Sequence, residues 1–365
     1  MRMRSYIQRV ATGPELGKSV SMTEAQDAMV SILNGDIDPV QVAIYLIALR
    51  MKRETNDEFV GSLLGLQKRV GTISADVPHL VDIADPFDGF ARCVPASTFL
   101  PAVLAALGLP ALLQGADSVG PKYGVTHRKV LQSAGCNVDL TTRQCVKQIE
   151  NQSIAWVYLD QRHSCPALHQ LVSLRERMVK RSVLTTIEGL SRPIQAEKNH
   201  LMGGFVHRAY PPIYSLLAKR AGFASAMIIK GVEGGVVPSL SQVARLFCYG
   251  EPTGEMQQVR LDPSEFAISQ YERAMLLPDD LPVPLATPDS IALTVDALAV
   301  AKLAARHGVA ALKGEQGFAY DSLIYGASIC LVHLKKATSF GDAADMARKA
   351  IDSGKAHAHF AAALL

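Results

Sequence analysis

"HLVDIADPFDGFARCVPASTFLPAVLAALGLPALLQGA", residues 79–116, decides the architecture. "HLVDIAD" is a short apolar run bounded by Asp-Pro and reads as a strand. "PASTFLPAVLAALG" reads as a helix stopped by glycine, and "PALLQGA" as a second strand. Strand, helix and strand in this order predict parallel pairing. The turn after the first strand has the frame of a phosphate site, yet it holds Asp85, Pro86, Phe87 and Asp88. A phosphate cradle needs successive free backbone N–H groups. Pro86 has none, Phe87 is bulky, and the two aspartates repel an anion.

The same rhythm runs outward from this stretch. "SIAWVYLD" (153–160) and "SAMIIKG" (225–231) read as further strands, with helical text before each. Residues 250–290 are rich in proline and acid and read as a loop-rich insertion. "PDSIALTVDALAVAKLAARHG" and "YDSLIYGASICLVHLKKA" read as long helices, and "FGDAADMARKAIDSGKAHAHFAAALL" as a single closing helix. Before residue 76 the period is helical. "TEAQDAMVSILNG" has Thr23 as its expected cap and Gly35 as its stop; "DPVQVAIYLIALRMK" has Asp38 and Pro39; "TNDEFVGSLLGLQKRV" starts at Thr55. The expectation is α/β with a helical N-terminal domain, residues 1–75, joined by a helical segment near 165–190, and a large α/β domain, 76–365.

Composition bounds the function classes. Of 365 residues, 48% are hydrophobic and 19% charged, as in ordinary globular chains. Aromatics are 6%, which disfavours recognition by base stacking alone. The basic start "MRMRSYIQRV" is followed by no apolar run, and the longest apolar stretch is broken by Pro101, Gly108 and Pro110. No secretory signal and no membrane span are therefore expected. Six cysteines without a CxxC pair suggest a reduced, cytoplasmic protein.

The overall charge of +3 hides an asymmetry. Residues 161–230 carry 11 Lys/Arg against 3 Glu, and residues 231–300 carry 3 Arg against 10 Asp/Glu. The basic run "LRERMVKRSVLTTIEGLSRPIQAEKNHLMGGFVHRAY" mixes Arg and Lys with Ser, Thr and Asn, the side chains that contact phosphates. Charge balance between the two segments is the plain alternative. "GPELGKS" (13–19) is one residue too short for a P-loop and follows no strand. "HSCPALH" brings His163, Cys165 and His169 together without a fourth metal donor, and only adjacency suggests Cys165 and His163 as nucleophile and base.

The strings "VDIAD…DG…STF", "LG.P.LLQG..SVGPKYG", "G.NVD" and "ARKAIDSGKA" resemble the anthranilate phosphoribosyltransferase (TrpD) family. The resemblance implies a nucleoside-phosphorylase-like fold. It also implies a pyrophosphate loop G-T-G-G-D, a K-H-G-N-R element and an Asp-Glu pair for magnesium. This sequence matches them poorly. "ADPFDG" keeps Asp88 and Gly89; "LQGAD" keeps Gly115, with Asp117 in place of the Arg; "KGVEGG" offers Glu233 followed by Gly234. Ser118, Val119, Lys122 and Gly124 do match.

Three anion and metal elements are altered together, and such elements stabilise a leaving pyrophosphate. The pattern is similar to the YbiB, or second TrpD, branch. That branch implies a homodimer paired through the N-terminal helices and sequence-independent binding of nucleic acid in a basic groove, in a DNA-damage context. The groove residues would be Arg175, Arg177, Lys180, Arg181, Arg192, Lys198 and Arg208, with Lys122, Arg128 and Lys129 near the cleft. No catalytic residue and no resident metal are expected on this reading. The alternative is a glycosyl or phosphoribosyl transferase of altered substrate, using the residual cleft of Asp88, Gly89, Gly115, Ser118, Lys122 and Glu233. Only under that alternative would Mg²⁺ bind.

Overall fold

Capping chemistry sets the first layer. Helix α1 spans Arg2–Val10, α2 Met22–Asn34, α3 Pro39–Lys52 and α4 Asn56–Gln67 in a computed structural model that describes residues 2–13, 15–282 and 296–364. Ser21, rather than Thr23, caps α2: its hydroxyl accepts the Glu24 N–H while the Glu24 carboxylate accepts that of Ser21. Asp38 caps α3 ahead of Pro39 and Thr55 caps α4, as the sequence predicts, and Thr55 also closes a second capping box with Glu58. Glu58 is buried, bound to the Lys52 ammonium at 2.6 Å and to the Val20 N–H at 3.0 Å. The helix at Arg2–Val10 is additional to the three that periodicity indicated.

Strands β1 (Ile73–Ser74) and β5 (Ile194–Gln195) form a small parallel pair. The main sheet contains β2 (His79–Ala84), β3 (Ala111–Gly115), β4 (Trp156–Asp160), β6 (Lys198–Gly204), β7 (Ser225–Ile229), β8 (Ala244–Tyr249) and β9 (Gln257–Leu261). Its order is β4-β3-β2-β6-β7-β8-β9, parallel through β7 and antiparallel beyond it. Two expectations are corrected here. The loop-rich insertion contains β9, which pairs with β8, a strand the sequence reading passed over. The single closing helix is two, Phe340–Asp352 and Lys355–Ala362, broken where Gly354 takes a φ of 77°. The helix expected from Pro288 is described from Ala297 to Leu312, and residues 283–295 lie outside the description.

Strands buried on both faces sort alternate side chains into two cores. Met202, Met227 and Ile229 face the core formed with helices Leu100–Ala106, Ala297–Leu312 and Phe318–His333. Leu201, Ala226 and Ile228 face the other, which contains Met29, Leu46, Leu63, Leu168, Val183, Ile187 and Leu217. The N-terminal helices thus share one apolar cluster with residues 165–190 and with helix Tyr210–Ala221. No described helix is long and apolar enough to cross a membrane.

The chain runs outward in both directions from the β2/β6 pair, where Ala84 lies beside Gly203. Ligands of open α/β sheets bind at such a switch point, outside the carboxyl ends of the strands. The loops that follow β2, β3, β6 and β7 converge there.

Candidate functional site

Two loops cross at the mouth of this crevice, and glycine permits the crossing. Phe90 and Val125 exchange backbone hydrogen bonds of 2.7 and 3.0 Å. A Cβ on Gly124 would lie 2.4 Å from the Phe90 carbonyl oxygen, and one on Gly89, where φ is 76°, 2.6 Å from that of Val125. The crossing fixes Asp88 and Lys122 side by side.

Lys122 Nζ lies 3.6 Å from an Asp88 oxygen and 3.6 Å from a Glu233 oxygen. Asp88 also accepts from Arg181, whose Nε is 3.1 Å away. Glu233 accepts the backbone N–H groups of Arg92 at 2.7 Å and Ala91 at 3.1 Å, and the Cys93 thiol at 3.4 Å. Burial, then the Glu233 carboxylate, pushes the Cys93 thiol up. Two carboxylates and two cations therefore close a local lattice.

Asp85 behaves in the same way one turn earlier. It is buried, accepting from the Ser97 hydroxyl at 2.5 Å and the Val236 N–H at 2.7 Å, with His127 Nε2 at 3.0 Å. The other His127 ring nitrogen lies 2.9 Å from the Thr98 hydroxyl. The phosphate frame noted in the sequence is thus filled by the chain's own carboxylates. Asp85 was legible only as an obstacle to phosphate; its partners arrive from residues 97, 127 and 236.

This donor set does not fit a magnesium pyrophosphate. The Lys122 ammonium sits between the two carboxylates that would hold the metal, and the loop N–H groups are already spent. Gly115 lies against the Tyr158 ring, with 3.1 Å left for a Cβ, and Ser118 is half-buried on the loop after β3.

The predicted basic set does not converge on one groove. Arg175 is buried and held bidentately by Glu188, at 2.7 and 2.8 Å. Arg128 is buried among Asp139, at 3.0 Å, Asp160, at 3.3 Å, and the Val138 carbonyl. Lys129 is turned to Asp117, and Arg192 donates to the Gly222 carbonyl. Lys198 is exposed but opens β6 opposite His79, at the amino end of the sheet, roughly 16 Å of strand from Gly203. Arg175 and Arg128 thus offer no free guanidinium, and Lys198 lies at the opposite end of β6 from the crevice.

Arg177, Lys180, Arg181 and Arg208 are exposed. Helix Val172–Met178, which carries Arg177, packs through Val172 on Phe87, Ala116 and Val119 beside the crevice. Two further cations were missed. Lys230 follows β7, its ammonium donating to the Val206 carbonyl and lying over the Phe205 ring; Arg273 is exposed, and neither they nor Arg208 form an ion pair among the described residues. Burial first, then Arg273 and Arg208, pushes the Lys230 ammonium down. Lys230 directly after an apolar strand was a usable signal; Arg273 was masked by its acidic surroundings.

Family models described as "Glycosyl transferase family, helical bundle domain" and "Glycosyl transferase family, a/b domain" match residues 4–69 and 89–357. The anthranilate phosphoribosyltransferase of Bradyrhizobium diazoefficiens is 25% identical over 98% of this chain and 96% of its own. That of Paramagnetospirillum magneticum is 27% identical over 98% of this chain and 93% of its own. Among solved structures, anthranilate phosphoribosyltransferase from Thermus thermophilus superposes with a TM-score of 0.73 at 19% identity, covering 98% of both chains. The Saccharomyces cerevisiae enzyme in complex with PRPP and Mg gives 0.75 at 15% identity, covering 99% of this chain and 97% of that one. These structures share the fold.

Proposed function

The chain belongs to the glycosyl transferase family of these helical-bundle and α/β domains, and from that membership we propose a TrpD-like protein that has given up phosphoribosyl transfer and binds nucleic acid without sequence specificity. The observation that carries this reading is a contrast of charge. Inside the crevice Asp88 and Glu233 are neutralised by Lys122 and Arg181, and Asp85 is held by hydrogen bonds from Ser97 and the Val236 N–H. On its rim Arg208, Lys230 and Arg273 form no ion pair among the described residues; the Lys230 ammonium donates to the Val206 carbonyl and lies over the Phe205 ring. Like charges gathered without a counterion favour an anionic partner. Lys180 extends the surface past the end of helix Val172–Met178, while Arg181 is paired with Asp88.

Phosphate contacts release counterions, so affinity should fall with salt by about 0.7 log units per log unit for each contact on a single strand. The test is anisotropy of a labelled single-stranded oligonucleotide at several salt concentrations. Reversing Arg208, Lys230 and Arg273 to Glu should weaken binding at least tenfold and flatten the slope by about 2. An unchanged slope would remove the rim from the reading.

We extend the proposal to a homodimer built on the N-terminal helices. Its support is a largely apolar surface groove lined by Val40, Ala43, Ile44 and Ile47 of α3 with Leu174, Arg177 and Met178. Val40 and Ile44 are 65% and 44% exposed there.

A second reading, a transferase of altered substrate, is favoured by the survival of Asp88, Lys122 and Glu233 together at the switch point. A thermal shift with phosphoribosyl pyrophosphate, with and without Mg²⁺, tests it. A ligand at 100 times its Kd adds about 2.7 kcal/mol of stability, and the absence of a shift would discard this reading.

A further inference from the structure

The hydrogen bonds of Glu233 describe a binding site with its occupant in place. Ala91 and Arg92 present successive backbone N–H groups to one carboxylate, the arrangement that binds small oxyanions. Cys93 adds a thiol donor and Lys122 a cation at 3.6 Å. The occupant is held at a backbone cost: Glu233 adopts a φ of 53° and ψ of 16°, a left-handed conformation uncommon for residues other than glycine, Asn and Asp. Gly231, Gly234 and Gly235 surround it, and the Gly231–Pro238 bridge closes the base of the loop. Such a conformation persists where its surroundings hold it, and here they are the donors that bind the carboxylate.

We propose that residues 231–235 are a gate, in which the Glu233 carboxylate is a resident stand-in for a phosphate group and leaves when an external phosphate takes the Ala91–Arg92–Cys93 donors and Lys122. This does not rest on nucleic-acid binding at the rim, whose cations Arg208, Lys230 and Arg273 are separate from these donors. An intramolecular carboxylate competes at high effective concentration, so the native chain should bind a free phosphate weakly. Removing the competitor exposes the donors at once.

The test is calorimetric titration of the full chain with inorganic pyrophosphate. Glu233→Ala should bind at least tenfold more tightly than the native chain. In ¹⁵N spectra of that variant, the amides of Ala91 and Arg92 should be the ones that move. Adding Lys122→Met to Glu233→Ala should abolish the gain. If Glu233→Ala fails to fold, Glu233→Gln keeps the volume and one acceptor oxygen and should give a smaller gain of the same sign. A folded variant that binds pyrophosphate no better than the native chain, or one whose shifted amides lie elsewhere, would overturn the gate. Oligonucleotide affinity in Glu233→Ala should stay as in the native chain, which separates failure of the gate from failure of the rim.

Discussion

Single buried charges set the pH response. Asp82 lies on β2, fully buried, with one oxygen accepting from Gln114 at 2.6 Å and the other without a partner. Burial raises its carboxyl to about 7. The folded state therefore holds this proton more tightly than the unfolded chain, and stability falls as pH rises from about 4 to about 7. Asp82→Asn should remove that limb, stabilising by about 4 kcal/mol at pH 8 and by little at pH 4. Parallel urea curves at both pH values would contradict this.

His200 and His333 act in the opposite sense. Burial lowers both to about 4, and both hydrogen bond to Ser225, at 2.8 and 2.9 Å. The unfolded chain takes up these protons first, so stability is lost as pH falls from about 6.5 toward 4. Arg175 gives a third residue-level expectation. Its removal leaves Glu188 buried without its bidentate partner, which costs about 3–5 kcal/mol by chemical denaturation. Truncating exposed Arg208 should leave stability almost unchanged and affect oligonucleotide binding instead.

At the level of elements, the loop crossing is the joint on which the crevice depends. Gly124→Ala would drive a Cβ to 2.4 Å from the Phe90 oxygen, against backbone that cannot rotate away. Overpacking of this kind costs about 1–3 kcal/mol, read as a lower Tm. Elements with strong local signals were legible in advance. Asp38-Pro39, Thr55, and the apolar run "ALLQG" of β3 each specify their structure within a few residues. β9 was not legible, because "QQVRL" alternates too weakly and only its pairing with β8 makes it a strand. The site divides the same way. Asp88, Lys122 and Glu233 were identifiable by position, yet that Lys122 bridges the other two is a property of three loops meeting. Burial of Arg175 and Arg128 was invisible, since Glu188 and Asp160 reach them through tertiary packing alone.

For the whole molecule, assembly is the open quantity that one substitution reads. Ile44→Asp places a charge in the α3 groove and should convert a dimer to a monomer in sedimentation, with thermal stability of the isolated fold little changed. A native chain that sediments as a monomer at micromolar concentration would dismiss the pairing. The shared cluster of α2, α3 and α4 with residues 165–190 and 217–228 has a further consequence, for the order of events at the ribosome. Translation delivers Gln67 long before Ile228, by roughly 8–30 s at ordinary elongation rates. Throughout that interval Met29, Leu46 and Leu63 lack the surfaces that cover them in the finished protein. The leading segment is thus made first and completed late, and a nascent chain stalled before residue 165 should be protease-sensitive and held by chaperones.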